Sequence, residues 1–393
     1  MSTTEQATTT RTTPVVRMGH YDPHDRPFIV IWEVTRACAL VCKHCRADAQ
    51  HRAHPDQLTT AQGVELLDEI AAFGRPQPIV VLTGGDPFER ADLTDLVRHG
   101  TNLGLAMSVS PSVTPKLTRE RVAALHDAGG KAMSVSLDGA RAATHDAFRG
   151  IDGTFARTVE AAAMIMDEGF RLQVNTTITR RNVRELPLLL ADVIGMGAKM
   201  WYLFFLVPTG RGAQLSSLHP DEKEDVLHWL HDVSDRIAIK TTEAPQYRRV
   251  ALQRDAWRRD GVPMPQRGDL WHWLTAETTR LLGAAPERPR VPRAPMAVNS
   301  GNGFAFIDHI GDVYPSGFLP HVCGNVTRES FRDIYRNADM MGQLRRPDEF
   351  GGKCGVCEFN TVCGGSRSHA HAVTGDPLAA DPTCPYIPAG WAN

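Results

Sequence analysis

The run Phe28-Ile29-Val30-Ile31-Trp32-Glu33-Val34 is followed at once by Thr35-Arg36-Ala37-Cys38-Ala39-Leu40-Val41-Cys42-Lys43-His44-Cys45. The first run, apolar and β-branched but too short for a helix, reads as a buried strand. The three cysteines stand in the spacing C-x3-C-x2-C on the loop that leaves it. The same alternation of short apolar run and helical stretch continues outward. Strands are expected at Phe28–Val34, Pro78–Thr83, Gly104–Ser110, Ala132–Leu137, Leu172–Ile178 and Met200–Val207. Helices are expected between them at Thr60–Phe73, Ala91–Asn102, Thr118–Ala128, Phe155–Glu168 and Val183–Met196. Strands joined through helices pair in parallel, because parallel neighbours need a crossover. Six such units predict an α/β fold, a partial (β/α)6 barrel in place of a complete barrel of eight. In such folds the chemistry sits at the carboxyl ends of the strands. The cysteine loop, Gly84-Gly85-Asp86-Pro87, Ser110-Pro111-Ser112 and Asp138-Gly139 follow or end the first four strands and therefore fall on one rim.

With 43 Lys+Arg against 45 Asp+Glu in 393 residues, the chain carries a net charge of -2. It lacks the basic excess of a nucleic-acid binder or a polybasic membrane-surface protein. Hydrophobic residues at 42% and charged residues at 22% suit packed cores and exclude disorder throughout. No apolar run approaches the ~18 residues of a membrane span. The first 26 residues, Thr-rich and without an apolar h-region, read as a flexible tail and not as a secretory signal, so a cytoplasmic protein is expected. The expected organisation is a tail at 1–26, the barrel at 27–212, a helical, Arg- and Trp-bearing connecting region at 213–297 and a cysteine-rich domain at 298–393. The connecting region ends in the Pro-rich segment Ala285–Pro295 and reads equally as helices over the barrel mouth or as a solvated linker. Phe304–Pro315 is expected to form a hairpin turning at Gly311-Asp312.

Eight cysteines in a large chain without a secretory signal point to metal or catalysis before disulfides. Three thiolates on one compact loop suit three corners of a four-iron cluster and leave one iron open to a small molecule. Zinc would want a fourth ligand, for which His44 could be proposed, but its adjacency to Cys45 would strain the loop.

This cluster loop, after the first strand of a β/α series, resembles that of the radical S-adenosylmethionine (SAM) enzymes. The resemblance implies an open iron chelated by the amino and carboxylate groups of SAM. It further implies reductive cleavage of the sulfonium bond and a deoxyadenosyl radical that takes hydrogen from substrate. His44 occupies the position before the third cysteine, often Tyr or Phe in the family, and is expected beside the cofactor. Gly84-Gly85-Asp86 resembles the Gly-Gly-Glu motif that meets the cofactor's amino group, with Asp in place of Glu. Capping of a helix start by Asp86 is the alternative. By the same resemblance Ser136 contacts the cofactor and Arg149 pairs with its carboxylate. Ser110, Ser112 and Asn175 are expected at the ribose hydroxyls. Asp138 is expected either to face the substrate as the catalytic residue or to cap the next helix. Gly210-Arg211-Gly212 is expected to be a flexible turn first and a substrate contact second.

Cys354-x2-Cys357-x5-Cys363, with Cys384 after twenty intervening residues, is a second metal signature. Four thiolates close a site completely. Together with the first cluster it resembles the auxiliary-cluster domain of radical SAM enzymes, called SPASM or twitch. The fuller family pattern carries cysteines where Ser316 and Arg367 stand here, which implies one auxiliary [4Fe-4S] cluster held by Cys354, Cys357, Cys363 and Cys384. Cys323 could ligate in place of one of the four, but a lone cysteine reads first as a small buried hydrophobe. The nearest likeness is to enzymes of haem-variant biosynthesis, supported by Lys240-Thr241-Thr242-Glu243-Ala244-Pro245, Tyr247-Arg248-Arg249 and Cys363-Gly364-Gly365-Ser366-Arg367. The implied reaction is oxidation or decarboxylation of a tetrapyrrole side chain, with Arg248 and Arg249 as carboxylate anchors and flavodoxin or ferredoxin as electron donor. Alternatives are maturation of a peptide, for which no stretch is set aside as a leader-binding domain, and dehydrogenation or decarboxylation of a sugar or nucleoside. From a different class, the chain could be a zinc-stabilised binding protein.

Overall fold

The computed structural model describes residues 22–284, 286 and 296–391; most of the expected tail and of the Pro-rich segment lies outside them. The six expected strands form as β1 (Ile29–Glu33), β2 (Ile79–Thr83), β3 (Ala106–Val109), β4 (Ala132–Ser136), β5 (Arg171–Ile178) and β6 (Met200–Phe205). They pair in parallel, each with the next. The crossovers are α1 (Thr60–Ala71), α2 (Leu93–Asn102), α3 (Arg119–Asp127), a pair made of α4 (Ala142–Arg149) and α5 (Thr154–Asp167), and α6 (Leu186–Gly195). The short helix α4 lies in a stretch read only as a motif. The Asp146 carboxylate within it accepts from the backbone N–H groups of Gly153 and Phe155, both at 2.7 Å, and so caps α5.

Two further segments extend the sheet. The stretch read as helical forms α7 (Pro220–Asp232), α8 (Gln246–Arg259) and α9 (Asp269–Leu282), but it also contributes a strand, β7 (Ala238–Thr242), parallel to β6. It is not a solvated linker: Trp229 is fully buried and donates its indole N–H to Thr278 at 3.0 Å. At the other edge β8 (Phe304–Ile307) pairs in parallel with β1 and antiparallel with β9 (Asp312–Tyr314). The hairpin loop spans residues 308–311, so Asp312 belongs to the strand and not to the turn. With β10 (Gly324–Asn325) the sheet has ten strands in the order β10-β9-β8-β1-β2-β3-β4-β5-β6-β7.

Period-two alternation positions the site. Val30, Trp32, Val80, Leu82, Val174, Trp201 and Leu203 face the helices and are fully buried, each worth roughly 1.5–3 kcal/mol or more. A one-residue slip would turn this set to the other face, so the register is strongly specified. The opposite set, from Ile31 through Ser134, Asn175 and Tyr202 to Lys240 and Phe306, lines a shared cavity. No helix among the described residues is long and apolar enough to cross a membrane.

Candidate active site

The cavity inside the curved sheet has a volume of about 1960 Å³ and reaches from the cysteine loop to the amino ends of the strands. Cys38, Cys42 and Cys45 open onto it, with Cys38 and Cys42 otherwise buried beside Leu40. Glycines from three other loops hold the cysteine loop. A Cβ on Gly84 would lie 2.4 Å from the Thr35 carbonyl oxygen, and one on Gly85 would lie 2.3 Å from that of Ala37. The Gly85 and Asp86 N–H groups donate to those same carbonyls at 2.8 and 2.7 Å. Gly150, in the left-handed region at the end of α4, packs on Val41, and Gly210 packs on the carbonyls of Cys45 and Arg46. The Gly-Gly pair thus serves the expected close approach, but to the backbone of the cluster loop.

One further rim feature differs from expectation. Asp86 is fully buried, does not line the cavity and accepts from the Phe88 N–H at 3.1 Å and the Thr114 hydroxyl at 2.7 Å. It is the cap of a short 3-10 turn, the alternative set against its cofactor role. Gly84, Gly85, His44, Ser110, Ser112, Ser136, Asp138, Arg149 and Asn175 do line the cavity. Ser112 donates to the Gly85 carbonyl at 2.8 Å and lies 3.5 Å from Cys38 Sγ. Ser110 and Ser134 share a hydrogen bond of 2.7 Å, and Asn175 donates to Ser134 at 3.2 Å.

The strongest charges at the rim are Asp138 and Arg149. Arg149 Nη2 donates to Asp138 Oδ2 at 2.5 Å while Nη1 lies 3.7 Å from Cys42 Sγ. Asp138 Oδ1 accepts from the Thr177 N–H at 2.7 Å. Burial alone would raise the Asp138 carboxyl, but Arg149 and the nearby histidines outweigh it and hold the group below its usual range. Asp138 is therefore an engaged carboxylate, 1% exposed, that orients Arg149 over Cys42 and does not cap the helix that follows. His44 is kept neutral, its pKa pushed down by burial to about 4, and its Nδ1 is buried without a hydrogen-bond partner. An orphaned polar atom beside three thiols is the mark of a site shaped for a further group.

Sequence reading missed two polar clusters on the same wall. Arg46, over the Phe306 ring at 4.4 Å, pairs with buried Glu33, which also lies 3.2 Å from His309 Nδ1. Glu243, a non-glycine residue at φ 57°, receives hydroxyls from Ser316 and Ser368 at 3.0 Å and from Ser366 at 2.5 Å. Its signal was a carboxylate set between Thr242 and Ala244 at a strand end. Ser316 thus binds a carboxylate where the family pattern has a cysteine. Arg367 donates to the Pro377 and Ala379 carbonyls and reaches Cys354 Sγ at 3.7 Å.

Cys354, Cys357, Cys363 and Cys384 converge on a second, much smaller cavity of about 20 Å³. Among the described residues no three His, Cys, Asp or Glu side chains are drawn as tightly round one point as a single ion would need; the four thiols meet as walls. Backbone N–H groups of Asp381 and Gly365 point at Cys354 Sγ (3.3 Å) and Cys363 Sγ (3.5 Å). Burial raises the thiols of Cys357 to about 11 and Cys363 to about 12, so loading metal there releases protons. Cys323 packs against the main core, apart from these four.

Arg249 lines this smaller cavity and is bound by both oxygens of Glu224 (2.8 and 2.5 Å), so it does not serve as a substrate anchor. Burial would raise the Glu224 carboxyl, but His228 and Arg249 bring it down to about 2. A depressed carboxyl contributes stability that is fully present above its unfolded pKa near 4.5 and is lost as pH falls through the folded value. A shift of this size corresponds to about 3 kcal/mol. Glu224→Gln is therefore expected to be less stable than wild type in urea titrations at pH 7, with the gap closing as pH falls from about 4.5 toward 2. A gap independent of pH contradicts this.

A parallel barrel with three thiols at its rim and four in an appended cavity defines an iron-sulfur enzyme built around an open cluster. Residues 32–191 match the family model of the Radical SAM superfamily. The AdoMet-dependent heme synthase of Methanosarcina barkeri is 37% identical over 92% of this chain and 97% of that protein. The pre-heme d1 synthase of Dinoroseobacter shibae is 31% identical over 92% of this chain and 86% of that protein. Among solved structures, Streptococcus suis SuiB bound to S-adenosylmethionine shares the fold, with a TM-score of 0.67 at 13% identity over 92% of this chain and 78% of that one. The chain belongs to the radical SAM superfamily. It is an enzyme that uses SAM and a [4Fe-4S] cluster and needs an external electron donor and a small-molecule substrate, which sets aside the zinc-stabilised binding protein.

Proposed function

We propose that this enzyme oxidises or decarboxylates a carboxylate-bearing side chain of a tetrapyrrole in the cytoplasm, with electrons from flavodoxin or ferredoxin. The observation that carries this reading is the cavity wall. Tyr202 and Phe204 meet edge to face at 5.1 Å, Phe318 lies 6.4 Å from Phe204, and Phe306 carries Arg46 on its face. Lys240 and Arg248 stand on the same wall. An aromatic surface edged with cations in so large a cavity suits a broad, flat, anionic molecule. The names of the haem-synthesising relatives point the same way.

In this reading Cys38, Cys42 and Cys45 hold the catalytic cluster, and Cys354, Cys357, Cys363 and Cys384 hold the auxiliary one. A cluster held there would supply the electron for reductive cleavage of SAM, the source of the radical that would take a hydrogen atom from substrate. Gly84 and Gly85, which hold the cluster loop and also line the cavity, would with Arg149 position the methionine end. Ser110, Ser112, Ser136 and Asn175 contact the ribose side, with His44 beside the adenosyl group. Asp138 keeps Arg149 aimed at Cys42, and the barrel walls exclude water that would quench the radical.

Anaerobic incubation with iron coproporphyrin, SAM and dithionite is expected to give 5′-deoxyadenosine together with a porphyrin that has lost carbon dioxide and two hydrogen atoms per reacted propionate, one passing to the deoxyadenosyl radical and the other leaving as a proton and an electron that the auxiliary cluster would accept. Deoxyadenosine formation indifferent to the porphyrin, with the porphyrin unaltered, contradicts the proposal.

A further inference from the structure

Lys240 is an inward-facing lysine in the middle of β7, with Nζ 4.8 Å from the centroid of the Tyr202 ring. Among the described residues no carboxylate pairs with it. Arg248 comes from α8, whose cavity face also carries Ala251 and Leu252 and closes the side of the barrel beyond β7. Its Nη1 donates to Asn299 Oδ1 at 3.0 Å and to the Val362 carbonyl at 2.8 Å, and its Nη2 donates to the Val298 carbonyl. These bonds leave Nε–H and one Nη2–H unused, both able to donate to a carboxylate. Arg248 also has no carboxylate partner among the described residues; Cys363 and then Tyr202 are the groups close enough to act on its charge.

Lys240 and Arg248 thus line one cavity with Tyr202, and among the described residues no carboxylate completes either cation. We propose that Lys240, Tyr202 and the free edge of Arg248 form a carboxylate subsite that holds an arm of the substrate remote from the reacting one. The inference rests on the tetrapyrrole reading above and assigns the residues that would orient such a molecule. Strand register places the subsite. Ser136 pairs with Asn175, Asn175 with Tyr202 and Tyr202 with Lys240, so all four share one rung of the sheet. Three strand spacings, roughly 14 Å along the curve, separate the Lys240 end from the Ser136 end. A macrocycle with several carboxylate arms can thus be pinned at β7 while another arm lies toward the cluster loop. Which arm reacts then follows from which arm is pinned.

The test is anaerobic titration of reconstituted enzyme with iron coproporphyrin III and with its tetramethyl ester, read by the Soret band. Wild type is expected to bind the acid more tightly than the ester. Lys240→Gln is expected to weaken the acid about tenfold or more and to leave the ester's affinity unchanged, and Lys240→Arg to restore the acid. Arg248→Lys, which keeps charge but loses the fork, is expected to show a smaller loss confined to the acid. Iron content of each variant verifies that it has folded and loaded. If wild type binds the acid and Lys240→Gln binds it equally well, the subsite is overturned while the tetrapyrrole reading stands. If wild type binds neither porphyrin, both are overturned.

Discussion

Cys42→Ala protein, reconstituted anaerobically, is expected to hold about four irons per chain against about eight in wild type, and to form no 5′-deoxyadenosine from SAM. Cys42 sits midway in the loop and is the thiol that Arg149 approaches at 3.7 Å. Removing it leaves two thiols, too few for an open-cornered cluster, and strands a buried guanidinium already committed to Asp138. The auxiliary thiols lie in a separate cavity and should load normally. The measurements are iron and sulfide content and chromatographic detection of deoxyadenosine after dithionite reduction. Deoxyadenosine formed at the wild-type rate would remove Cys42 from the site.

Gly85→Ala is expected to lower deoxyadenosine formation by about a hundredfold, although it adds only a methyl group. The new Cβ would sit 2.3 Å from the Ala37 oxygen and 2.7 Å from the Arg36 oxygen, both backbone atoms that cannot swing aside. Cys38 follows directly, so the loop must shift the first cluster ligand to relieve the clash. Gly195→Ala provides the control, since nothing lies within 4 Å of a Cβ there, and wild-type turnover is expected from it. Iron content of Gly85→Ala should fall toward about four per chain. Equal turnover in the two glycine variants would show that the Gly-Gly pair does not hold the cluster loop.

Much of this architecture was legible because β1 to β6 each carry an apolar, helix-facing set and periodic helical stretches lie between them. β7 escaped for a physical reason: Ala238-Ile239-Lys240-Thr241-Thr242 is partly exposed along its whole length, so it lacks the alternation that betrays a half-buried strand. The parallel pairing of β8 with β1 escaped too, since strands far apart in sequence carry no local mark of each other. At the site, residue types were readable and partnerships were not. Asp138 and Arg149 were both singled out, yet nothing in the sequence says that they bind each other. Gly84 and Gly85 signalled a close approach, but only the structure identifies the approaching group as the carbonyls of Thr35, Arg36 and Ala37. Asp86 satisfied a motif while its side chain was taken by Phe88 and Thr114.

The central claim is that the trio of thiols near Cys42 leaves one iron open to SAM. It is tested most directly by electron paramagnetic resonance of the dithionite-reduced enzyme before and after SAM is added, with Cys42→Ala measured alongside. The account predicts that SAM changes the spectrum of wild type and leaves that of Cys42→Ala as it was. A wild-type spectrum unmoved by saturating SAM would contradict it.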